Sequence, residues 1–244
     1  MKTVAIVQAR MTSTRLPGKI MRPVLGKPLL ELLVERLKRA KGVDDVVIAT
    51  TTNSDDDQVE SLTQRLGIGC FRGSENDVLD RVLRAAQAFD VDVIVEITGD
   101  CPLIDFQVID KLLDIYHAND YDYVANVLKR TYPRGLDTQV FATAVLEEVA
   151  RLTNDPVDHE HVSLYIYEHP ERFKLHNVES GLPEEYWDLR LTVDTPDDFE
   201  LIRRIYEELY PSNPAFTVED VVELFERRPE LREINQHIAQ KAVR

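Results

Sequence analysis

Cysteine is nearly absent from these 244 residues. The two present, Cys70 and Cys101, have neither metal-ligand nor redox-pair spacing, which excludes a disulfide framework and a cysteine-held zinc site. A reducing, cytoplasmic setting is the expectation. Long apolar runs are missing as well. None approaches the ~20 residues that cross a bilayer, and the start of the chain, one lysine and then a strand broken by Arg10, lacks the apolar core of a secretion signal. Basic residues are outnumbered, 29 Lys and Arg against 44 Asp and Glu, for a formal net charge of -15. That balance excludes a general affinity for nucleic acid or for an anionic membrane. Aromatics make up 7%, and Tyr165, Tyr167 and Trp187 lack the repeat of a base-stacking platform, so they read as packing residues. The glycines never form the G-x-x-x-x-G-K-[ST] phosphate loop.

What the chain has is a hydrophobic share of 43%, enough for a sizeable core in a single domain over 1–244. Its first two-fifths alternates strand and helix. Residues 4–7, 46–50 and 93–97 are apolar runs of buried strands, and 67–71 is a turn with a short strand. Helix spacing runs through 28–39, 76–89 and 106–116, the last capped by Asp105. Ser74 or Asn76 is the expected cap for 76–89. Asp55, Asp56 and Asp57 open another helix to about Leu66 and read as capping chemistry at a positive helix end. Repeated β-α units predict an α/β fold: a mostly parallel sheet with helices on both faces. In the second half, 123–127, 138–141 and 189–193 read as strands, and 142–152, 159–169, 196–209, 217–226 and 229–240 as helices.

Ligands of such sheets bind beyond the carboxyl ends of the strands. Two segments stand there. The loop after the first strand, Ala9 to Lys19, sets Arg10, Arg15 and Lys19 around Thr12, Ser13 and Thr14. Fixed cations and backbone N–H groups at a strand end suit a polyphosphate. Asp100, between Gly99 and Cys101-Pro102, is a candidate ligand for Mg²⁺, which takes one or two carboxylates plus phosphate oxygens. Asp194 is the second candidate. Thr195 with Asp198 makes a capping box and Pro196 suits the first helical position, so the helix start needs nothing from Asp194. Arg134, beside Gly135 in the loop from Arg130 to Asp137, is able to grip a carboxylate, or simply to support a turn. His159-Glu160-His161 lacks the i, i+4 spacing of a helical metal site, which leaves His161 as a polar substrate contact.

The segment 9–19 resembles the nucleotide-binding loop of the CMP-sugar synthetases, which include 3-deoxy-manno-octulosonate cytidylyltransferase and CMP-sialic acid synthetase. Thr98-Gly99-Asp100-Cys101-Pro102 and Val193-Asp194-Thr195-Pro196 are similar to their two metal-bearing segments. With 73–81 and 132–137, the whole chain most resembles the spore coat polysaccharide biosynthesis protein F group of that family. The resemblance implies a Rossmann-like nucleotidyltransferase fold, CTP as donor, Mg²⁺ as cofactor and a homodimer. It implies Arg10, Arg15 and Lys19 on the triphosphate, Asp100 and Asp194 on the metal, and Ala9, Ser13, Gly99, Ser74, Asp77 and Arg81 around the nucleotide. An anionic acceptor would meet Asn126, Arg134, Asp137 and His161, in a region 120–190 that also carries dimerisation, with 217–244 as C-terminal helices. The octulosonate enzymes have Gln-Gly-Asp-Glu-Pro where this chain has Thr98 to Pro102, so a different acceptor is expected. A nucleotide-sugar glycosyltransferase and a non-catalytic nucleotide-binding protein are the alternatives; the first would normally carry Asp-x-Asp at the strand end, and here Cys101-Pro102 follows Asp100.

Overall fold

The computed structural model describes residues 1–240. Its strands are β1 (Thr3–Gln8), β2 (Pro23–Val24), β3 (Lys27–Pro28), β4 (Asp45–Thr51), β5 (Gly69–Gly73), β6 (Val93–Thr98), β7 (Tyr123–Ala125), β8 (Gln139–Ala142) and β9 (Leu175–Asn177). Its helices are α1 (Leu29–Leu37), α2 (Asp57–Leu66), α3 (Val78–Ala88), α4 (Phe106–Ala118), α5 (Thr143–Leu152), α6 (Pro156–Glu160), α7 (Leu164–Glu168), α8 (Pro196–Leu209) and α9 (Val218–Arg227). Seven strands form one sheet in the order β5-β4-β1-β6-β8-β7-β9, and β2 and β3 pair apart from it. Strand β1 lies parallel between β4 and β6, and β8 alone runs against its neighbours. No described helix is long and apolar enough to cross a membrane.

The apolar strands are explained by cover on both faces. Ala5, Val7, Val95 and Ile97 pack under Leu33 of α1 and Leu112 of α4. Val4, Ile6 and Ile94 pack against Leu79 and Val82 of α3 and Leu146 of α5. Each such side chain contributes about 1.5–3 kcal/mol on burial, so the middle of the sheet is the rigid part of the molecule. A third cluster joins Leu29 and Leu32 of α1 to Ile205 and Tyr206 of α8 and to Phe216 and Phe225. Asp105 caps α4 through the Gln107 N–H at 2.8 Å, and its other oxygen accepts the Val218 N–H at 2.7 Å, which ties α9 to the same corner. The expected capping box of Thr195 and Asp198 opens α8.

Several sequence expectations need correction. Segment 189–193 is extended but is not a strand: its backbone bonds go singly to two loops, through the Arg134–Arg190 bridge and from the Val193 N–H to the Asp100 carbonyl at 2.8 Å. The helix expected over 159–169 is broken into α6 and α7, with Val162 between them at φ 42°, a region disfavoured for a β-branched residue. The helix α3 is capped by Asp77, whose carboxylate accepts the Asp80 N–H, and not by Ser74 or Asn76. Beyond α9 the chain makes a 3₁₀ turn, Pro229–Ile234, in place of a helix to Gln240. Residues 241–244 of the expected C-terminal segment lie outside the described residues.

Candidate active site

The site lies at the carboxyl end of the parallel strands. From Gln8 the chain enters the basic loop, which is held from three sides. The Ala9 N–H donates to the Ala49 carbonyl at 3.2 Å, the Gly99 N–H to the Gln8 carbonyl at 2.9 Å, and the Gly18 N–H to the Met11 carbonyl at 3.0 Å. A Cβ at Gly99 would lie 2.9 Å from the Ala9 Cβ, so glycine permits the two loops to cross. A further hold is Asp56, fully buried, which accepts the Met11 N–H at 2.7 Å and the Thr51 N–H at 3.1 Å. The acidic triplet is thus only partly a helix opening: Asp56 ties the basic loop to the end of β4 and caps nothing.

The loop delivers Lys19 between the two aspartates named from the sequence. Its Nζ lies 3.1 Å from Asp100 Oδ2 and 2.8 Å from Asp194 Oδ1, and Arg15 Nη2 lies 3.0 Å from the same Asp194 oxygen. Asp194 is not a free carboxylate. Arg190, nearly fully buried, donates to Asp194 Oδ2 at 2.7 Å and to Asp198 Oδ1 at 2.9 Å. Arg190 therefore braces Asp194 from behind. Burial alone would lower the Lys19 ammonium, but the two carboxylates outweigh it and hold Lys19 above its ordinary value. Burial likewise works to raise Asp100, and Lys19 with the Thr98 hydroxyl draws it below the usual carboxylate range. Lys19 and Asp100 are therefore both ionised at neutral pH.

Arg10 faces the loop after β5 and donates to the Glu75 carbonyl at 3.3 Å. Glu75 also accepts from Thr12 and Asn53, and these hydrogen bonds lower its carboxyl. Arg81 is buried and donates to the Ser74 and Glu75 carbonyls; burial, with Arg10 nearby, lowers it to about 10. Ser74 accepts the Asp77 N–H at 3.1 Å, Ser13 the Leu16 N–H at 3.4 Å, and Asp77 pairs with His159 Nδ1 at 2.8 Å. Ser13 thus shapes the basic loop, and Ser74, Asp77 and Arg81 shape the loop after β5 that Arg10 faces.

Beside the aspartates opens a cavity of about 670 Å³, lined on one side by Arg130, Arg134, Asp137 and His161 and on another by Gln8, Glu96, Gln139 and Ser163. Arg130 grips Asp137 with bonds of 2.7 and 3.1 Å. The Arg134 guanidinium has no hydrogen bond or ion pair among the described residues. Its backbone is pinned by the Arg134 N–H to the Leu189 carbonyl at 3.0 Å and the Leu191 N–H to the Arg134 carbonyl at 2.7 Å. Gly135, at φ 102° and with no room for a Cβ against the Leu191 backbone, makes that approach possible. Asn126 does not reach the cavity. It is fully buried, its amide donates to the Leu136 carbonyl and accepts the Thr138 N–H, and it closes the base of the Arg134 loop. Glu96, Gln8 and Gln139 were missed. A lone acid within the apolar run 93–97 was the available signal for Glu96.

Three comparisons place this geometry. A solved cytidylyltransferase from Leptospira borgpetersenii is 34% identical with a TM-score of 0.89, over 99% of this chain and 100% of that one. The spore coat polysaccharide biosynthesis protein SpsF of Bacillus subtilis is 34% identical over 92% of this chain and 94% of its own length. The structure of CMP:2-keto-3-deoxy-manno-octonic acid synthetase complexed with CTP, 21% identical, shares the Rossmann-like nucleotidyltransferase fold, with a TM-score of 0.64 over 86% of this chain and 100% of that one. The cytidylyltransferase family model matches residues 4–220. That match begins in β1 and ends in α9, taking in the basic loop, Asp100 and Asp194, so the chain belongs to the cytidylyltransferase family and is a CTP-dependent nucleotidyltransferase.

Proposed function

We propose that this enzyme transfers CMP from CTP to an acidic sugar, releasing pyrophosphate, as a cytoplasmic step in the synthesis of a surface polysaccharide. The observation that carries this reading is the lysine bridge between Asp100 and Asp194 at the lip of a cavity that holds the unpaired Arg134. Nucleotide charge is met on one side of the aspartates and an acceptor carboxylate on the other. The relatives support it: SpsF is by name a polysaccharide biosynthesis protein, and a further relative, 29% identical over 68% of this chain, is the 3-deoxy-manno-octulosonate cytidylyltransferase of Geobacter metallireducens.

No group of three or more His, Cys, Asp or Glu side chains fit to hold a metal occurs among the described residues. A cation carried by a nucleotide needs fewer protein ligands, since phosphate oxygens and water complete its shell. Asp100 and Asp194, both within reach of one ammonium, are of that kind, and they would hold Mg²⁺. The ion would supply polarisation of the α-phosphate and a lower pKa for the acceptor hydroxyl.

The residues do the rest. The acceptor hydroxyl releases its proton to solvent as its oxygen bonds to the α-phosphorus, the bond from that phosphorus to the bridging oxygen breaks, and pyrophosphate leaves with the electron pair. Lys19 passes from the carboxylates to the phosphates, and with Arg10 and Arg15 neutralises the leaving charge. The backbone at Ala9 and Gly99, with Ser13, lies along the phosphates, and the loop shaped by Ser74, Asp77 and Arg81 takes the ribose and base. Arg134 holds the acceptor carboxylate, with Asp137 and His161 on its hydroxyls. A homodimer through 120–190 completes the reading and is checked by light scattering.

The test is pyrophosphate release with Mg²⁺ and a panel of acidic sugars, CTP against UTP, ATP and GTP. CTP-selective release that Asp100→Ala lowers by roughly 10²–10³ is expected. Near-full turnover by both Asp100→Ala and Asp194→Ala would end the metal assignment.

A further inference from the structure

Glu96 is at odds with its surroundings. It sits in β6, opposite Gln139 of β8, on the face whose preceding position is Ile94. It is 2% exposed. Its Oε1 accepts from Gln8 Nε2 at 2.9 Å, while Oε2 is buried with no hydrogen-bond partner among the described residues. No lysine, arginine or histidine pairs with it there. Burial pushes its carboxyl up to about 8, with Ser163 and Gln8 only partly opposing. A glutamine would make the Gln8 bond at far smaller desolvation cost. A buried carboxyl left short of a partner asks for a counter-charge that arrives from outside, and the cavity is where it would arrive, since Glu96, Gln139 and Ser163 all line it.

The rest of the cavity fits that demand. Asp137 is already taken by Arg130, and Asp100 and Asp194 by Lys19. Glu160 is exposed to water and His161 is half-buried, so what is left over inside the cavity among the described residues is one unpaired guanidinium, Arg134, and one buried, under-partnered carboxyl, Glu96. The complement of such a pair is a molecule with a carboxylate and an ammonium group.

We propose that the acceptor is a zwitterion, an amino-substituted acidic sugar, whose ammonium group is read by Glu96 while its carboxylate is held by Arg134. This rests on the reading of the cavity as the acceptor site. An entering ammonium brings the positive charge that stabilises the ionised form of Glu96 and a donor for Oε2. A hydroxyl brings the donor alone, so Glu96 discriminates by charge and not by shape.

The experiment is pyrophosphate release from CTP with matched pairs of sugar acids, each amino compound set beside its hydroxyl counterpart, on the wild type and on Glu96→Gln. The isosteric variant keeps the Gln8 bond, and an unchanged CTP thermal shift shows that its nucleotide side is intact. The wild type is expected to favour the amino member of at least one pair by tenfold or more in kcat/KM. Glu96→Gln is expected to erase that preference through KM, losing tenfold or more on the amino sugar and under threefold on its partner. Turnover with no amino preference in any pair, or a preference that survives in Glu96→Gln, overturns the inference and leaves the acceptor site standing. No pyrophosphate from any acceptor, with CTP bound, overturns the acceptor-site reading and this inference together.

Discussion

The two halves of the cleft are built on opposite electrostatic plans. On the nucleotide side every principal charge has a partner: Lys19 with Asp100 and Asp194, Arg15 with Asp194, Arg10 with Glu75. On the acceptor side Arg134 is unpaired among the described residues and Glu96 has an oxygen without a partner. The nucleotide side therefore works by exchange. In the proposed function a phosphate chain and its cation would arrive together and swap partners with groups already held in place, so the protein's cations stay ordered before substrate binds. In the same reading the acceptor side works by addition, since Arg134 and Glu96 would gain their partners only when a ligand enters. The first plan suits a donor that carries its own counter-ion. The second would suit discrimination among acceptors, because a ligand without the matching group leaves a buried polar group without its partner.

Removing a charge from the exchange side is the strongest way to break this contrast. Lys19→Ala should lower pyrophosphate release by roughly 10²–10³, and it should also leave Asp100 and Asp194 facing each other without their shared cation. The CTP-dependent rise in melting temperature should shrink or vanish. A variant that keeps the full CTP shift and turnover would mean that the lysine bridge is only structural.

Next in size is Arg134→Ala. Because Arg134 acts by addition, its loss should raise the acceptor KM by about 10–100-fold, the range of a charge-assisted bidentate contact, and leave the CTP thermal shift unchanged. An equal loss on both substrates would show that Arg134 supports the Asp194 segment through its backbone bridge to Leu189 and Leu191.

The same contrast explains what could be read from the sequence. The parallel strands β1, β4 and β6 are buried on both faces and so appear as apolar runs. Arg10, Arg15, Lys19, Asp100 and Asp194 stood out because charges at the ends of such runs have few bland duties, and the structure gathers Arg15, Lys19, Asp100 and Asp194 into one network. The acceptor half was harder. Its strands β7 and β9 have three residues each, too few to show a period. Segment 189–193 has a strand's composition but crosses between two loops, which only the fold decides. Asn126 looked like a polar contact at a strand end and proved to be the buried tie of a loop. Asp56 looked like a cap and proved to be the anchor of the basic loop. A polar residue's partner lies far along the chain in these cases, and no local pattern points to it.

The smallest perturbation, Glu96→Gln, sharpens the contrast without any substrate. A carboxyl whose folded pKa of about 8 stands above its ordinary 4.5 stabilises the fold through its neutral form. That stability is fully present below about pH 4.5, is lost as pH rises towards about 8, and changes no further above it. Glutamine has no proton to lose. The melting temperature of Glu96→Gln should therefore match that of the wild type near pH 5, exceed it by a widening margin through pH 7, and hold a constant lead of several degrees above about pH 8. Thermal unfolding across that range measures it. A lead independent of pH would mean that Glu96 is already ionised in the empty protein, and the acceptor side would then be paired like the nucleotide side. A lead that opens with pH means that the protein keeps a neutral acid in its cavity, at a cost to stability that the Lys19 bridge between Asp100 and Asp194 does not require.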